Sequence, residues 1–413
     1  MHGPTGISSV PDLTIIHAAA NAQFGSGLTA VRWSSATRDD LVVGAPGADT
    51  HGHVFVFRGG TLTAGTRTAS TADLHITASA TSPGFFATGS LGRTLATADV
   101  DGNGVDDLVI AAPTGGATIG GIVVLYGDTV TGNIALSDLD AGGANGSIAE
   151  LFRDPSGTPG HQLGFYLHSV GPTEGPTDIT DDLVAAYVDD YNTIGDSVFV
   201  LRSDGTRPPT PGVSARTFAI GRDVRIDFAQ TVYRSTEWGS QVTSIDDQNG
   251  DGSRDLVIGA YRTISDAGQV LIIDGKTVGT AGVASTADAG VVLTTITGTT
   301  KSKLGAVVWT HDKAVADIDG DGRQDLVLGG VQGTQGRAFV WFGGAIPKGA
   351  TTLASAATAI DAPAGFAFTR QTPKGPAGQA RWVGDLDGDG LEDVCWAAPF
   401  DNNGDEMFEV LSD

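Results

Sequence analysis

Runs of four or five apolar residues, rich in Val, Ile, Leu and Phe, recur along the chain between clusters of Gly, Asp, Asn and Thr. One pattern, Asp-Leu-Val-x-Gly-Ala-Pro with variants, occurs six times: Asp40 to Pro46, Asp107 to Pro113, Asp182 to Tyr187, Asp255 to Tyr261, Asp325 to Gly330 and Asp393 to Pro399. The leading aspartates stand 67, 75, 73, 70 and 68 residues apart, and a fixed period of this kind marks a repeat architecture. Upstream of each lies an apolar-Gly pair: Phe24-Gly25, Leu91-Gly92, Leu163-Gly164, Trp238-Gly239, Leu304-Gly305 and, more weakly, Ala377-Gly378. Downstream comes a β-branched or aromatic run, from Val54-Phe55-Val56-Phe57 in the first copy to Met407-Phe408-Glu409-Val410 in the last. These runs have the length and composition of strands, with turn residues at their ends. No pattern of similar strength repeats at the helical period.

A fourth strand fits each connection, for instance Asp73 to Thr77 or Val291 to Thr295. Four strands in each of six repeats predict an all-β fold, a six-bladed β-propeller of four-stranded blades, which hides nearly all sheet edges. The expected blade cores are 24–77, 91–136, 163–230, 238–296, 304–360 and 377–413. Residues 12–17 read as a fourth strand ahead of the first complete unit, and the last unit stops after its third strand at Leu411. The N-terminal strand is therefore expected to complete the C-terminal blade and close the ring as one domain, 1–413. Every gap between copies holds one unit, which leaves no room for a seventh.

Composition fits this picture. Gly contributes 60 of 413 residues without a collagen period, the signature of many tight turns. Hydrophobic content of 40% and charge of 17% are those of a folded chain rather than a disordered one. A net charge of −24, spread along the chain, argues against nucleic acid or anionic membranes as partners. No apolar run is long enough to insert in a membrane. The single cysteine, Cys395, excludes an intrachain disulfide and reads as a small hydrophobe inside a strand. Met1-His2-Gly3-Pro4 lacks the basic and apolar features of a signal segment and reads as the start of a processed or trimmed chain.

The chemistry lies just ahead of the repeated Asp-Leu. Four copies carry the nine-residue pattern Asp-x-(Asp/Asn)-x-(Asp/Asn)-Gly-x-x-Asp, at 99–107, 247–255, 317–325 and 385–393. Calcium takes about six to eight oxygens at flexible geometry, which side chains at positions 1, 3, 5 and 9 and a carbonyl at 7 can supply. The expected ligands are Asp99, Asp101, Asn103, Val105 and Asp107; Asp247, Asn249, Asp251, Ser253 and Asp255; Asp317, Asp319, Asp321, Arg323 and Asp325; and Asp385, Asp387, Asp389, Leu391 and Asp393. Glycine at position 6 permits the sharp turn. The pattern matches the first half of an EF-hand but lacks its twelfth-position Glu and runs into a strand. Solvated Asp-Gly turns explain one such copy easily and four aligned copies poorly. Two repeats depart from the pattern. Position 1 is Arg32 in the first, and the third has Pro176 and no position-6 glycine, so calcium is expected at four sites only. Clustered carboxylates repel without a cation, which makes metal binding a contribution to folding. Extracellular modules of this kind bind calcium at roughly 10⁻⁴–10⁻³ M, a level that favours an exported, cell-surface or secreted protein.

Phe24-Gly25 followed by Gly44-Ala45-Pro46, together with loops such as Asp317-Ile-Asp-Gly-Asp-Gly-Arg-Gln-Asp325, resembles the FG-GAP repeats of integrin α-subunit propellers and related bacterial surface proteins. The resemblance covers essentially the whole chain. It implies calcium loops between strands 1 and 2 on one face and a ligand surface on the other, made by the 2–3 and 4–1 loops. Integrin propellers usually have seven blades, whereas six copies are present here, so the resemblance reaches the fold rather than integrin function.

The leading expectation is a calcium-stabilised, monomeric binding or adhesion module for a protein or glycan ligand. Tyr187, Asp189, Asp190, Tyr191, Tyr261 and Arg262 are the candidate ligand residues, because exposed aromatics beside Arg make good anchors. Phe85-Phe86, Phe152-Arg153 and Tyr233-Arg234 are placed ahead of first strands. A lectin is the alternative, although the 2–3 loops differ too much to repeat one sugar pocket. A calcium-dependent phosphatase or polysaccharide lyase is a further one. The eight histidines, His51, His53, His161 and His168 among them, fall at unrelated positions and no nucleophile motif occurs, so no catalytic residue is assigned.

Overall fold

The computed structural model describes residues 13–34, 38–79, 82, 90–114, 120–139, 148–153, 162–175, 177–186, 197–207, 212–217, 223–229, 238–277, 282–305, 307–308, 321–332, 335–356, 358–361, 379–384, 393–398 and 407–411. The first repeat forms β1 (Leu13–Ile16), β2 (Leu28–Val31), β3 (Asp40–Ala45), β4 (His53–Phe57), β5 (Gly65–Thr68) and β6 (Leu74–Thr77). Strands β2, β3, β4 and β6 make an antiparallel meander, with Val31 opposite Asp40, Leu41 opposite Phe57 and Phe55 opposite His75. The second repeat builds the same meander from Thr94–Ala98, Asp107–Ala111, Gly121–Leu125 and Ile148–Arg153. The third uses Tyr166–Gly171, Asp182–Ala186, Ser197–Leu201 and Val224–Asp227. The fourth uses Trp238–Ile245, Asp255–Ala260, Gln269–Ile273 and Val292–Thr297. Val307–Val308, Leu326–Gln332, Gln335–Trp341 and Thr358–Asp361 form the fifth, and Gln379–Gly384, Asp393–Ala398 and Met407–Leu411 a three-stranded sixth. The fold is all-β. Helical segments among the described residues are three or four residues long.

The repeating strands fall where the apolar runs place them, with one correction. Phe152-Arg153 does not precede a first strand; it ends the fourth strand of the second repeat, paired with Gly121 and Ile122, and Phe152 is buried. That strand lies well beyond residue 136, where the second blade core was expected to end. Phe85-Phe86 and Tyr233-Arg234 lie outside the described residues.

A fifth short strand joins most sheets, and it belongs to the next repeat. Ile134–Ala135 pairs in parallel with β6, Gly212–Thr217 with Ile148–Arg153, Val283–Ser285 with Val224–Asp227, and Gly349–Thr352 with Val292–Thr297. Each comes from the connection between the third and fourth strands of its own repeat and covers the outer edge of the previous sheet. In the first repeat β5 is that strand, and it pairs in parallel with β1, Leu13 opposite Gly65. Thus β1 stands on β5 as the fourth strands of the first four repeats stand on the edge strand that follows each of them.

Contact density divides the chain into two compact units, residues 1–99, 103–165 and 206–217, and residues 100–102, 166–205 and 218–413. In the first, Val54, Val56, Leu74 and Ile76 pack against Leu108, Ile110, Val123 and Leu125. The opposite face of the first sheet buries Val43, Phe55 and Phe57 with Ile15 and Phe24. In the second unit, Val184, Val198 and Ile226 pack against Trp238, Leu256 and Ile258, and Val257, Val270 and Ile272 against Leu326, Leu328 and Phe339. Within each unit, successive sheets therefore stack face to face. Strands covered on both faces read as unbroken apolar runs, which is why no polar alternation marks Val54–Phe57 or Val270–Ile273. Full burial of one such side chain stabilises by roughly 1.5–3 kcal/mol.

Glycine explains why the apolar-Gly pair and the Gly-Ala-Pro run travel together. The Gly25 amide donates to the Gly44 carbonyl at 2.9 Å, so the two motifs pair within one sheet. Across sheets, Gly92 of the second repeat lies against Gly44 of the first, and Gly305 of the fifth against Gly259 of the fourth. Both Gly92 and Gly305 have left-handed backbone, at φ 83° and 88°. The apolar partner of the pair is buried beside them, Leu91 and Leu304 being fully enclosed.

Candidate metal centres

The loops that could hold metal join the first and second strands of their repeats. In the second, the chain leaves Thr94–Ala98 into Asp99, and Asp107 opens the next strand. Asp99, Asp101 and Asp107 each offer a carboxylate oxygen within 4.8 Å of the others. The turn is wound on Asp99, whose Oδ1 accepts the Asn103 amide at 3.0 Å and whose Oδ2 accepts the Gly104 amide at 2.8 Å. Asn103 Oδ1 in turn accepts the Val105 amide at 2.7 Å. Gly102 and Gly104 supply the left-handed backbone this needs, at φ 72° and 81°. Three carboxylates so close repel one another unless a cation stands among them. The donors are oxygens on a flexible loop, the chemistry that suits calcium rather than a thiophilic ion.

The loop of the fourth repeat is wound in the same way. Asp247 Oδ1 accepts the amides of Asn249 at 3.0 Å and Gly250 at 2.6 Å, and its Oδ2 accepts Gly252 at 2.6 Å. Burial opposes ionisation of Asp247, but the amides of Gly252, Gly250, Asp251 and Asn249 outweigh it and hold the carboxyl below its ordinary value. Asp251 Oδ1 accepts the Ser253 amide at 2.9 Å. Burial pushes Asp255 up to about 6 against the amides of Gln248 and Gly275, with Asp274 and Asp247 adding to the rise. Among the described residues only Asp99, Asp101 and Asp107 converge as a set of three carboxylates. In the fifth repeat Asp321 Oδ1 accepts the Arg323 amide at 2.8 Å, while Asp317 and Asp319 lie outside the described residues. Asp385, Asp387, Asp389 and Leu391 of the sixth also lie outside them, and Asp393 opens the strand Asp393–Ala398.

Position 9 has a second role that spacing alone did not disclose. Oδ1 of this aspartate accepts the amide just beyond the third strand: Gly59 to Asp40 at 2.9 Å, Gly127 to Asp107 at 2.9 Å, Ser203 to Asp182 at 2.9 Å, Gly275 to Asp255 at 3.2 Å and Gly343 to Asp325 at 2.7 Å. The clamp is present in the repeats without a calcium pattern as well as in those with one. The signal was readable in the glycine after the third apolar run. A Cβ on Gly59, Gly127 or Gly275 would stand about 2 Å from the carbonyl oxygen of the residue before the aspartate, at 2.0, 2.1 and 1.9 Å.

The two departing repeats fill the loop with their own groups. In the first, Asp40 Oδ2 accepts the Ser34 amide at 2.9 Å and the Ser34 hydroxyl binds the same carboxylate. Arg32, at position 1, directs its guanidinium to Asp39 at 2.9 Å. Its amide and the Trp33 indole meet Asp106 of the next loop at 3.0 and 2.6 Å. In the third, Asp182 accepts from Thr173, and the nearly enclosed Arg202 pairs with Glu174 at 3.2 Å. An arginine thus stands near each loop that lacks the calcium pattern.

Of the candidate ligand residues, Tyr187, Asp189, Asp190 and Tyr191 lie outside the described residues. Tyr261 and Arg262 follow the second strand of the fourth repeat, with the guanidinium 5.7 Å from the tyrosine ring centre. The chain then turns through Ile264, Ser265 and Asp266, all at positive φ.

These features, an apolar-Gly pair on left-handed backbone, an acidic loop and a buried Asp-Leu-Val strand, are complete in the second repeat. Residues 91–136 match the family model of the FG-GAP repeat. The first, third, fourth and fifth copies share its four-stranded meander, and the fourth, fifth and sixth its acidic loop pattern. No curated protein matches the chain. Among solved structures, the Dos1 propeller is similar at 10% identity over 91% of this chain and 69% of that one, with a TM-score of 0.41. A fungal lectin with a six-bladed β-propeller fold, Aleuria aurantia lectin, is similar at 11% identity over 93% and 91%, with a TM-score of 0.39.

Proposed function

We propose that the chain is a calcium-stabilised ligand-binding propeller that works outside the cell. The convergence of Asp99, Asp101 and Asp107 carries the reading. Asp99, Asp101, Asn103 and Asp107 would hold the ion through side-chain oxygens and Val105 through its carbonyl, and the ion would neutralise the loop. Equivalent loops of the fourth, fifth and sixth repeats would hold three more. The six meanders form six blades in this reading, and β1 supplies the outer strand of the last, a role supported by its pairing with β5.

Calcium is then a strut of the scaffold. Ligand, a protein or a glycan, engages the opposite face, where Tyr261 and Arg262 follow a second strand. The position-12 Glu of an EF-hand is missing, so weak, extracellular-range affinity is expected, in keeping with an exported protein. No helix among the described residues is long and apolar enough to cross a membrane.

Calorimetric titration of the chelated full chain tests this. Four calcium ions should bind, and Asp99→Asn with Asp101→Asn should remove one. An unchanged stoichiometry in that variant would overturn the assignment. A ligand screen with and without chelator tests the binding face, and turnover of phytate or uronate polymers would replace the binding reading with an enzymatic one.

A further inference from the structure

The histidines are not scattered as their sequence positions suggest. His17, His51, His53 and His75, half of the eight in the chain, gather half-buried in the first repeat. The register sets Phe55 opposite His75, and His53 lies two residues before Phe55 on the same face. His75 Nε2 stands 3.1 Å from His53 Nδ1, and His53 Nε2 stands 2.9 Å from Asp49 Oδ2. A carboxylate only accepts, so Nε2 of His53 carries the proton and Nδ1 presents a lone pair toward His75. Asp49 is itself held, because its Oδ1 accepts the His51 amide at 2.6 Å. The His75 ring stacks on Phe55 at 4.4 Å, and His17 closes the side against Phe24 and Phe55 at 5.8 and 5.6 Å.

We propose that His53 Nδ1 and His75 Nε2 bind one borderline divalent transition ion, zinc as the reference case, with Asp49 behind His53 orienting its ring. Two nitrogens at zinc-ligand distance and tetrahedral angle stand about 3.3 Å apart, so the pair needs to open by a few tenths of an ångström and the rings to turn until both lone pairs meet at the ion. The ion replaces the proton shared between the rings, and that proton moves to Nδ1 of His75. A carboxylate on the far nitrogen of a ligating histidine fixes its tautomer and strengthens it as a donor. Water completes the coordination. Imidazole donors set this site apart from the acidic loops, which offer calcium only oxygen. The fold does not require these histidines. The positions matching His53 and His75 are Ser197 and Arg225 in the third repeat and Gln269 and Thr295 in the fourth.

The full chain, free of any affinity tag and held in excess calcium, is titrated with zinc by calorimetry and with cobalt by visible absorption. One equivalent should bind beyond calcium, with the cobalt bands of a nitrogen-containing site. His53→Ala and His75→Gln should each weaken zinc at least about tenfold, and Asp49→Asn by about 10–100-fold. Asp99→Asn should leave zinc affinity unchanged. His75→Gln keeps a polar side chain on Phe55, and its calcium response confirms folding in the same sample. Zinc affinity and cobalt spectra unaltered in both histidine variants, or no binding by about 0.1 mM zinc, would overturn the site.

Discussion

Gly44 and Gly92 approach so closely that a Cβ on Gly44 would stand 1.8 Å from the Gly92 carbonyl oxygen. The same relationship joins Gly259 to Gly305, at 2.3 Å. Because the blocking atom is backbone, no side-chain rotation relieves it. Gly44→Ala and Gly259→Ala should each destabilise by about 1–3 kcal/mol, the cost of overpacking. Gly60→Ala, with nothing within 4 Å, should change stability by less than about 0.5 kcal/mol. Urea denaturation of the three variants decides, and equal stability of Gly44→Ala and Gly60→Ala would mean the sheets stand further apart.

The aspartate clamp separates from calcium binding in the first repeat, where Asp40 serves, among the described residues, Gly59 and Ser34. Asp40→Ala should destabilise by about 1–3 kcal/mol for each donor it strands, by the same amount in calcium and in chelator. Asp107→Ala should lose the clamp and part of the calcium response together. Unfolding curves in the two buffers distinguish the cases.

Chelation should act on the loops individually. Amides that depend on Asp99 and Asp247, those of Asn103, Gly104, Gly250 and Gly252, should exchange faster when calcium is removed. The Ser34 and Ser203 amides, bound to Asp40 and Asp182, should not change. Hydrogen exchange with peptide resolution reads both groups in one experiment, and uniform acceleration would contradict local metal sites.

Burial raises Asp182 from 3.8 to about 7, against hydrogen bonds from Thr173 and Ser203. Below pH 3.8 both states carry the proton and the group adds no slope. Between pH 3.8 and about 7 the unfolded chain ionises first, so this contribution to stability falls as pH rises and levels off above 7. Asp182→Asn in chelator should therefore lose less stability than wild type between pH 4.5 and 7.5. Arg202→Met should steepen the wild-type fall, since the guanidinium favours the ionised carboxylate. A parallel pH profile for Asp182→Asn and wild type would place the titration elsewhere.

The repeating strands and acidic loops were legible because each depends on local residue order. Asp107–Ala111 is apolar at four successive positions because both its faces are buried, and Asp99 to Gly104 spells out its own turn. The edge strands were not. Gly65–Thr68 and Gly349–Thr352 are exposed or half-buried along their length, so no apolar pattern marks them. The histidine cluster was missed for another reason. His53 and His75 meet through the register of β4 against β6, which no spacing within either strand encodes. Phe152 was misplaced because Ile148–Arg153 follows a longer connection than the fourth strands of the first, fourth and fifth repeats, so the segment reads as a loop before the next repeat.

Parallel edge pairing also gives the chain a direction in time. For the five outer strands paired in this way, the partner arrives only after a further 52 to 64 residues, from Leu13 with Gly65 to Ile148 with Gly212. On the ribosome every completed sheet would wait with a bare edge until that much more polypeptide emerged, an interval in which neighbouring nascent chains could cross-pair. Slow translation just after each fourth strand would lengthen this exposure, whereas brisk synthesis through the following connection would shorten it.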